Sequence, residues 1–250
     1  MRRHTIIYVV CILAIVGLAA TPVAAQPERC FAETGYCISG RFLNYWEQNG
    51  GLAVFGYPTT RASNEVNPDT GRTYLTQWFE RNRFELHPEN AAPYDVLLGR
   101  LGDDRLQQLG VDWHQFPSGP AEESCVYFGP TRHNLCDTLY SAGQCVGGCP
   151  IGFRQYWATH GLEFDGRPGT SFEESVALFG MPLSSAYIDQ DESGSRQVVQ
   201  WFERARFEWH PRNPDEFTVL LGLLAVEVRG EASMSMSVHK ATTRNSVSIR

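Results

Sequence analysis

Lysine is almost absent from this sequence of 250 residues: Lys240 is the only lysine among 21 basic residues, and the others are arginine. The basic residues are outnumbered by 28 aspartate and glutamate residues, which gives a formal net charge of −7. Proteins that bind the phosphate backbone of nucleic acids need an excess of positive charge. We therefore exclude nucleic acid as a partner.

The motifs of several common enzyme classes are also missing. The sequence contains no Gly-x-Ser-x-Gly nucleophile motif, no His-Glu-x-x-His zinc motif, no phosphate-binding Gly-Lys loop and no dinucleotide-binding fingerprint. Each of these motifs places a nucleophile, a metal ligand or a phosphate-binding backbone where a reaction needs it. The sequence gives no positive ground for a reaction or a cofactor, so we expect a non-enzymatic protein.

Long apolar runs are confined to the amino terminus. Arg2 and Arg3 precede a nearly unbroken apolar run over residues 6–20, and small residues follow at 23–25. This pattern predicts a signal peptide over residues 1–25, with the mature chain beginning near Gln26. A retained membrane anchor is the alternative, but a run of about 15 residues is shorter than the roughly 20 that a membrane-spanning helix requires. We predict a secreted or cell-envelope protein with no membrane span after leader removal.

A block of twelve residues occurs twice, with ten identities. It runs from Gln77 to Pro88 and recurs from Gln200 to Pro211, at an offset of 123 residues. Similarity extends to both sides of the block, so the duplication covers most of the chain. We predict a first module over 26–110, a linker over 111–124 and a second module over 125–230, with a loop insertion near 163–175. The tail over 231–250 lacks a periodic apolar pattern and is predicted to be disordered.

The amino-terminal part of each copy has a helical pattern followed by strands. Phe42, Tyr45 and Trp46 have the i, i+3, i+4 spacing of a short amphipathic helix, which the second copy repeats over 153–157. Residues 73–79 and 83–87 are predicted to be two strands joined by a tight turn. In that turn, Asn82 suits a left-handed backbone conformation.

The carboxy-terminal part of each copy predicts a further helix. Helical spacing relates apolar residues over 94–101 in the first copy and over 217–224 in the second. The predicted fold class is therefore α+β: two homologous small modules, each with short helices and a β-hairpin or small antiparallel sheet, braced by disulfides.

Six cysteines remain after the leader is removed: Cys30, Cys37, Cys125, Cys136, Cys145 and Cys149. An even number in an exported chain indicates disulfide bonds. The duplication matches Cys37 to Cys136, each with an upstream cysteine, so we predict the pairs 30–37 and 125–136 and leave 145 and 149 to each other. Zinc binding by Cys125, His133, Cys136, Cys145 and Cys149 is the alternative. Their spacing fits no standard zinc motif, so no metal is predicted.

The turns of the two copies carry a resemblance to a known family. Phe-Gly-x-Pro occurs at 55–58 and 179–182, after a tryptophan and a Gly-Leu pair and before an aromatic strand. In this arrangement the sequence resembles the LGFP-type repeats of secreted bacterial proteins, and more closely a group of uncharacterised exported bacterial proteins with tandem Phe-Glu-Arg-x-Arg-Phe-Glu-x-His-Pro blocks. The resemblance covers most of residues 30–230. It implies attachment to the cell envelope, and it transfers no catalytic or binding residue.

Charged side chains alternate with aromatic ones in each block. They are Glu80, Arg81, Arg83, Glu85 and His87, repeated as Glu203, Arg204, Arg206, Glu208 and His210. A network of ion pairs that braces a hairpin is the favoured interpretation. Arginine contacts with sugar hydroxyls or anionic polymer groups are a second possibility. Acid–base catalysis by a glutamate and a histidine is a third, although two copies of one catalytic site on one chain would be unusual.

The tryptophans allow two interpretations. Trp46 and Trp157 lie on the apolar faces of predicted helices and are expected in the core. Trp78, Trp201 and Trp209 lie on predicted strands, where they either pack inside or form an exposed platform for sugar rings. The candidate ligand-binding residues are Trp78, Glu80, Arg83, Trp201, Glu203, Arg206 and Trp209.

Together these features predict an exported, non-enzymatic binding or structural protein that recognises carbohydrate or a cell-envelope polymer. One alternative is a secreted hydrolase that uses Glu80 or Glu203 with His87 or His210. Another is a scaffold that binds a surface protein through the insertion. No catalytic residue is predicted.

Overall fold

A computed structural model describes residues 27–141, 144–145, 150–190 and 194–230 of the chain. The predicted signal peptide over 1–25 and the predicted disordered tail over 231–250 lie outside the described residues. The predicted bond between Cys145 and Cys149 also lies outside them, because Cys149 and the side chain of Cys145 are not described.

The first half of the chain forms a hairpin, two helices, a four-stranded sheet and a third helix. In chain order the elements are β1 (Glu28–Cys30), β2 (Cys37–Ser39), α1 (Gly40–Gln48), α2 (Gly51–Phe55), β3 (Ser63–Val66), β4 (Thr73–Trp78), β5 (Arg83–Leu86), β6 (Val96–Leu98) and α3 (Leu101–Gln108).

The second half repeats this order with one additional hairpin. Its elements are β7 (Val126–Phe128), β8 (His133–Leu135), β9 (Tyr140–Ser141), β10 (Gln144–Cys145), α4 (Phe153–Thr159), α5 (Phe172–Phe179), β11 (Tyr187–Gln190), β12 (Arg196–Trp201), β13 (Arg206–Trp209), β14 (Val219–Leu221) and α6 (Leu224–Arg229). The predicted α+β class, with small disulfide-braced modules, is confirmed. Among the described helices the longest has nine residues, and none has the length and apolar character to cross a membrane.

Each large sheet is antiparallel, with strand orders β3-β4-β5-β6 and β11-β12-β13-β14. The central hairpins are the predicted ones, and Phe79 donates its N–H to the carbonyl of Asn82 to close the first turn. The prediction of a left-handed conformation at Asn82 is wrong, because Arg132 is the residue with positive φ among the described non-glycine residues.

The helices predicted over 94–101 and 217–224 are also wrong. Val96–Leu98 pairs with β5 as an edge strand, and the helix begins only at Leu101. The second copy behaves in the same way, with β14 followed by α6. The helical spacing in the sequence arose because the apolar positions of a short strand and of the following helix happen to lie three or four residues apart.

The predicted loop insertion near 163–175 is a loop only as far as residue 171. Ser171 begins α5 with a capping box, in which its hydroxyl accepts the N–H of Glu174 and the Glu174 carboxylate accepts the N–H of Ser171. The predicted linker over 111–124 packs on the protein, since Trp113 and Phe116 contact the apolar cluster that contains Trp78 and Trp201.

One face of each sheet packs against its own helices. Phe84 is at the centre of the first core, with ring centroids 4.2 Å from Phe79, 4.8 Å from Phe55 and 5.0 Å from Tyr45. Phe207 has the same place in the second core. These rings are fully buried, so the aromatic residues of the repeat supply much of the apolar area that stabilises each module.

The opposite faces of the sheets join the modules in a second apolar cluster. It contains Trp78, Leu101, Leu106, Leu183, Val199, Trp201, Leu224 and Ala225. Gly102 of α3 donates its N–H to the Glu203 carbonyl in the turn of the other module, and Val226 of α6 donates to the Glu80 carbonyl. Each carboxy-terminal helix therefore contacts the hairpin turn of the other copy, which relates the modules by an approximate two-fold symmetry.

The disulfides join Cys30 to Cys37 and Cys125 to Cys136, so both of these predicted pairs are confirmed. Their positions on the hairpins are not equivalent. The loop of the first hairpin closes on the Phe31 carbonyl and that of the second on the Phe128 carbonyl.

With Phe31 matched to Phe128, the counterparts of Cys125 and Cys136 are Glu28 and Ser39. The match of Cys37 to Cys136 made from the sequence is therefore wrong by two residues. The same kind of hairpin is cross-linked at two different places along its strands.

Candidate functional site

The charged residues of the first block are mostly bound to one another. Arg83 donates from Nε to Oε1 of Glu85 at 2.7 Å, and its Nη1 lies 3.4 Å from Oδ2 of Asp104. Its guanidinium lies 5.2 Å from the ring centre of Trp78. These largely buried side chains satisfy each other's charges and hydrogen bonds, as expected for a network of ion pairs that braces a hairpin.

The second block repeats this arrangement. Arg206 pairs with Glu208 at 2.6 Å and with Glu227 at 2.7 Å, and it lies 5.0 Å over the Trp201 ring. Burial alone would lower the pKa of Arg206, but the hydrogen bonds and charges of Glu227 and Glu208 raise it. Arg206 therefore stays charged and fully engaged.

Trp78 and Trp201 do not form a platform for sugar rings. Their exposed fractions are 6% and 2%, because the face of the sheet that carries them is covered by α3, α6 and the other sheet. Of the two interpretations of these tryptophans, the structure therefore favours packing in the interior over an exposed platform.

Glu80 and Glu203 hold the turns that precede the sheets. Oε2 of Glu80 accepts the N–H of Tyr57 at 3.0 Å, and Oε2 of Glu203 accepts the N–H of Met181 at 3.2 Å. A Cβ atom at Gly56, where φ is +78°, would lie 2.5 Å from the same Glu80 oxygen. Only glycine allows this approach, so the Phe-Gly-x-Pro turn and the charged block depend on each other.

The residues of the hydrolase alternative are not brought together. Glu80 lies in the turn before β5 and His87 follows the end of β5, so four strand residues of about 3.3 Å each separate them. His87 instead lies 3.4 Å from Glu85 and 3.2 Å from Glu89. In the second copy, Nε2 of His210 contacts Nε2 of Gln197 at 2.8 Å.

A cleft of about 270 Å³ lies between the modules, and we call it the inter-module cleft. Apolar side chains of both copies line it, including Leu98 and Leu162. Its polar lining includes Asn67, Asp69, Thr70, Arg83, Glu85, His87, Arg100 and Arg204. The cleft thus joins the edge of the first sheet to helix α5 and the insertion of the second copy.

Two aromatic rings from different modules also line this cleft. Tyr94 is 55% exposed, and its ring centroid lies 5.0 Å from that of the partly buried Phe164. The sequence patterns do not point to either residue, because Tyr94 lies in a pattern typical of a helix and Phe164 lies in an insertion that has no counterpart in the first copy.

Tyr45 and Arg204 also line the inter-module cleft. Tyr45 is 1% exposed, and its hydroxyl has no hydrogen-bond partner in the described part of the chain. Burial raises the pKa of Tyr45, so its hydroxyl stays protonated. Arg204 donates from Nη1 to the Val176 carbonyl at 3.3 Å and lies 3.6 Å from Glu203.

Trp209 lies at a different cleft of about 370 Å³ in the second module. Arg196, Gln197, His210 and Arg212 also line it. Arg196 and Arg212 are exposed and form no ion pair with any residue that the structure describes. Of the candidate ligand-binding residues, Arg83 lines the inter-module cleft and Trp209 lines this second cleft, and Arg83 is already paired with acidic residues.

The structure does not favour the zinc alternative. Cys125 and Cys136 form a disulfide and offer no thiolate to a metal. The carboxylates of Glu163, Asp165 and Glu174 lie close together, but each of them accepts backbone N–H groups of the insertion loop. Their role is to hold that loop.

The chain matches no protein-family model, no curated protein and no solved structure, and its function is therefore inferred from its own residues and geometry.

Proposed function

We propose that the protein is an exported, non-enzymatic binding protein that holds a carbohydrate or another cell-envelope polymer in the inter-module cleft. The observation that carries this proposal is the pair of Tyr94 and Phe164, which offers an accessible aromatic surface in a cleft with polar groups. This combination suits a sugar ring, whose C–H faces pack on aromatic rings while its hydroxyls bond to polar side chains.

The size of the cleft supports a short contact with a larger polymer. Its volume of about 270 Å³ lies just below the range for small-molecule sites, which begins at roughly 300 Å³. Within the described residues, the Asn67 amide donates one N–H to Glu85 and the Thr70 hydroxyl donates to Oδ1 of Asn67, so the second N–H of the Asn67 amide is the donor left for a sugar hydroxyl. A single sugar unit would fill the cleft, and the rest of the polysaccharide would continue over the protein surface.

Export is supported by the leader pattern and by the cysteines. Each module has a disulfide within its first hairpin. Such bonds form and persist in oxidising compartments and are rare in the cytosol. Together with the resemblance to LGFP-type repeats, they favour a protein that acts at or beyond the cell envelope.

A non-enzymatic role is favoured over hydrolysis because the acidic residues of the repeat are held by partners within the protein. Glu80 bonds to the Phe-Gly-x-Pro turn, and Glu85 accepts from Arg83 and Asn67. A carboxylate fixed in this way is a poor proton donor or nucleophile for a bound sugar.

A retention assay tests the proposal. Purified protein is incubated with insoluble cell walls and polysaccharides that have been stripped of protein by protease. We expect retention of the wild type, and at least a fivefold loss for Tyr94→Ala. Tyr127→Ala is the matched control, because Tyr127 is a 37% exposed tyrosine on β7 that does not line the cleft.

Failure of the wild type to bind any of these materials would contradict the proposal. Retention only on walls that still carry their proteins would instead support the scaffold alternative. Equal losses for Tyr94→Ala and Tyr127→Ala would place the binding surface outside the inter-module cleft.

A further inference from the structure

The hydroxyl of Tyr45 is one of the buried side-chain polar atoms that have no hydrogen-bond partner within the described residues. Its ring packs against Phe84 and Phe55 in the first core, and the residue lines the inter-module cleft. A buried hydroxyl that lacks a hydrogen bond destabilises a fold, and native proteins retain few of them. A phenylalanine would satisfy the packing equally well, so the hydroxyl calls for an acceptor supplied from the cleft.

Arg204 is a second incompletely used donor in the same cleft, and its counterpart in the other copy shows what is missing. Arg81 donates from Nη1 to the Leu52 carbonyl and from Nε to the Leu221 carbonyl. Arg204 donates from Nη1 to the Val176 carbonyl but makes no bond equivalent to the second one within the described residues. Donors of this guanidinium therefore remain available at the point where it lines the cleft.

Around Arg204, the two arginines Arg204 and Arg100 face the two carboxylates of Glu203 and Asp103, so the charges balance. Burial lowers the pKa of Arg204; attraction by Glu203 opposes this effect, and repulsion by Arg100 adds to it. Glu203 is shared, since it also pairs with Arg100 at 3.2 Å. The positive charge of Arg204 acts on Tyr45 as well, which places the two donors within electrostatic reach of each other.

We infer that the inter-module cleft recognises a carboxylate, and that its ligand is an acidic sugar of the uronic acid type. The guanidinium of Arg204 and the hydroxyl of Tyr45 donate to the carboxylate, and Tyr94 and Phe164 contact the sugar ring. The hydroxyl of Tyr45 has almost no exposed surface. The inference therefore includes a movement of the Arg204 side chain, which is one-quarter exposed, toward the anion, so that the carboxylate gains access to this hydroxyl. This inference rests on the proposed function and specifies its ligand.

The first experiment compares charged and uncharged forms of the same sugars. Purified full-length protein is titrated with glucuronate, galacturonate and mannuronate, and with their methyl esters, by protein-detected NMR. At least one uronate is expected to bind about tenfold more tightly than its ester, because hydrogen bonds to a charged group are stronger than those to a neutral one. The inference is overturned if no uronate binds more tightly than its ester.

The second experiment uses variants. Tyr45→Phe and Arg204→Gln are each expected to weaken binding of the uronate about tenfold, and to change binding of the ester less than twofold. Tyr156→Phe is the matched control, since it removes the hydroxyl of the equivalent tyrosine outside this cleft. The melting temperature of Tyr45→Phe is expected to be unchanged or raised, which separates loss of a ligand contact from a folding defect.

Unchanged affinity of Tyr45→Phe and Arg204→Gln for the uronate would overturn the inference. The outcomes also separate it from the proposed function. If protein-free polysaccharide retains the wild type while uronates and esters bind equally, only the carboxylate inference fails. If no polysaccharide retains the wild type, both proposals fail.

Discussion

Asp104 and Glu227 have equivalent positions in the two modules, and each lies beside the arginine of its own repeat block. Oδ2 of Asp104 lies 3.4 Å from Nη1 of Arg83, whereas Oε1 of Glu227 lies 2.7 Å from Nη2 of Arg206. The pKa values of the two carboxyl groups are shifted in opposite directions. Burial raises the pKa of Asp104 and Arg83 does not offset it, but the bonds and charges of Arg206 and Arg105 outweigh burial and lower the pKa of Glu227.

The Glu227→Gln variant is expected to be about 2 kcal/mol less stable than the wild type at neutral pH, because Arg206 loses a charged partner in a poorly solvated place. A lowered folded-state pKa means that this contribution is present above the ordinary value of 4.5 and is lost as the pH falls through the folded-state value. The difference should therefore shrink in acid. Urea unfolding at pH 7 and at progressively lower pH measures it.

The Asp104→Asn variant should behave differently. A raised folded-state pKa means that ionisation of Asp104 lowers stability as the pH rises from its ordinary value of 3.8 through the folded-state value. At neutral pH we expect this variant to be as stable as the wild type or slightly more stable, in the same unfolding assay. A loss as large as that of Glu227→Gln would show that the two carboxylates have the same role.

Gly102→Ala is expected to destabilise the protein by about 3 kcal/mol, although alanine normally favours a helix over glycine by about 1 kcal/mol. A Cβ atom at this position would clash with the Phe202 carbonyl oxygen of the other module. The equivalent residue of α6 is Ala225, so only one of the two crossings requires glycine. Thermal or chemical unfolding measures the effect.

The control for this substitution is Gly119→Ala, where a Cβ atom would have no neighbour within 4 Å among the described residues. Its stability should stay within about 0.5 kcal/mol of the wild type. If Gly102→Ala is tolerated as well, the modules do not pack against each other through α3.

The glutamine that begins each block links the large sheet of its module to the amino-terminal hairpin of the same module by a hydrogen bond. Gln200 is fully buried, and its Nε2 donates to the carbonyls of Asn134 and Ser184. Gln200→Leu should cost about 3 kcal/mol, because both carbonyls lose their donor in the interior. Denaturant midpoints measure this cost, and Gln115→Leu at an exposed position is expected to be nearly neutral. Equal stability of the two variants would contradict this role.

The central hairpins could be predicted because their sequence alternates in the way a strand requires, and the duplication provided the same pattern twice. The edge strand Val96–Leu98 could not, since three residues are too few to show a period of two. The start of α5 was readable in principle, as Ser171 and Glu174 have the spacing of a capping box.

The site was harder to predict than the fold. Trp78 and Trp201 were ambiguous because a single copy does not reveal that the other copy covers the second face of its sheet. Tyr94 and Phe164 lie 70 residues apart in sequence and meet only when the modules pack together. The missing partner of the Tyr45 hydroxyl depends on the positions of all its neighbours, which no local pattern encodes.

Each described disulfide should contribute to stability by restricting the unfolded chain. Cys30→Ser with Cys37→Ser, and the corresponding pair of changes at Cys125 and Cys136, should each cost about 2–3 kcal/mol, since the bonds span 7 and 11 residues of sequence and close short loops. Unfolding midpoints of the two double variants measure the costs. A double variant as stable as the wild type would mean that the sheet alone fixes its hairpin.

The two-residue displacement between these disulfides leaves a second attachment point on the first hairpin. Glu28 and Ser39 face each other across β1 and β2, both are exposed, and their counterparts in the other hairpin are the bonded Cys125 and Cys136. The second hairpin therefore shows where a second cross-link could be engineered in the first hairpin. Cysteines at positions 28 and 39 would add a disulfide two residues away from the Cys30–Cys37 bond on the same pair of strands.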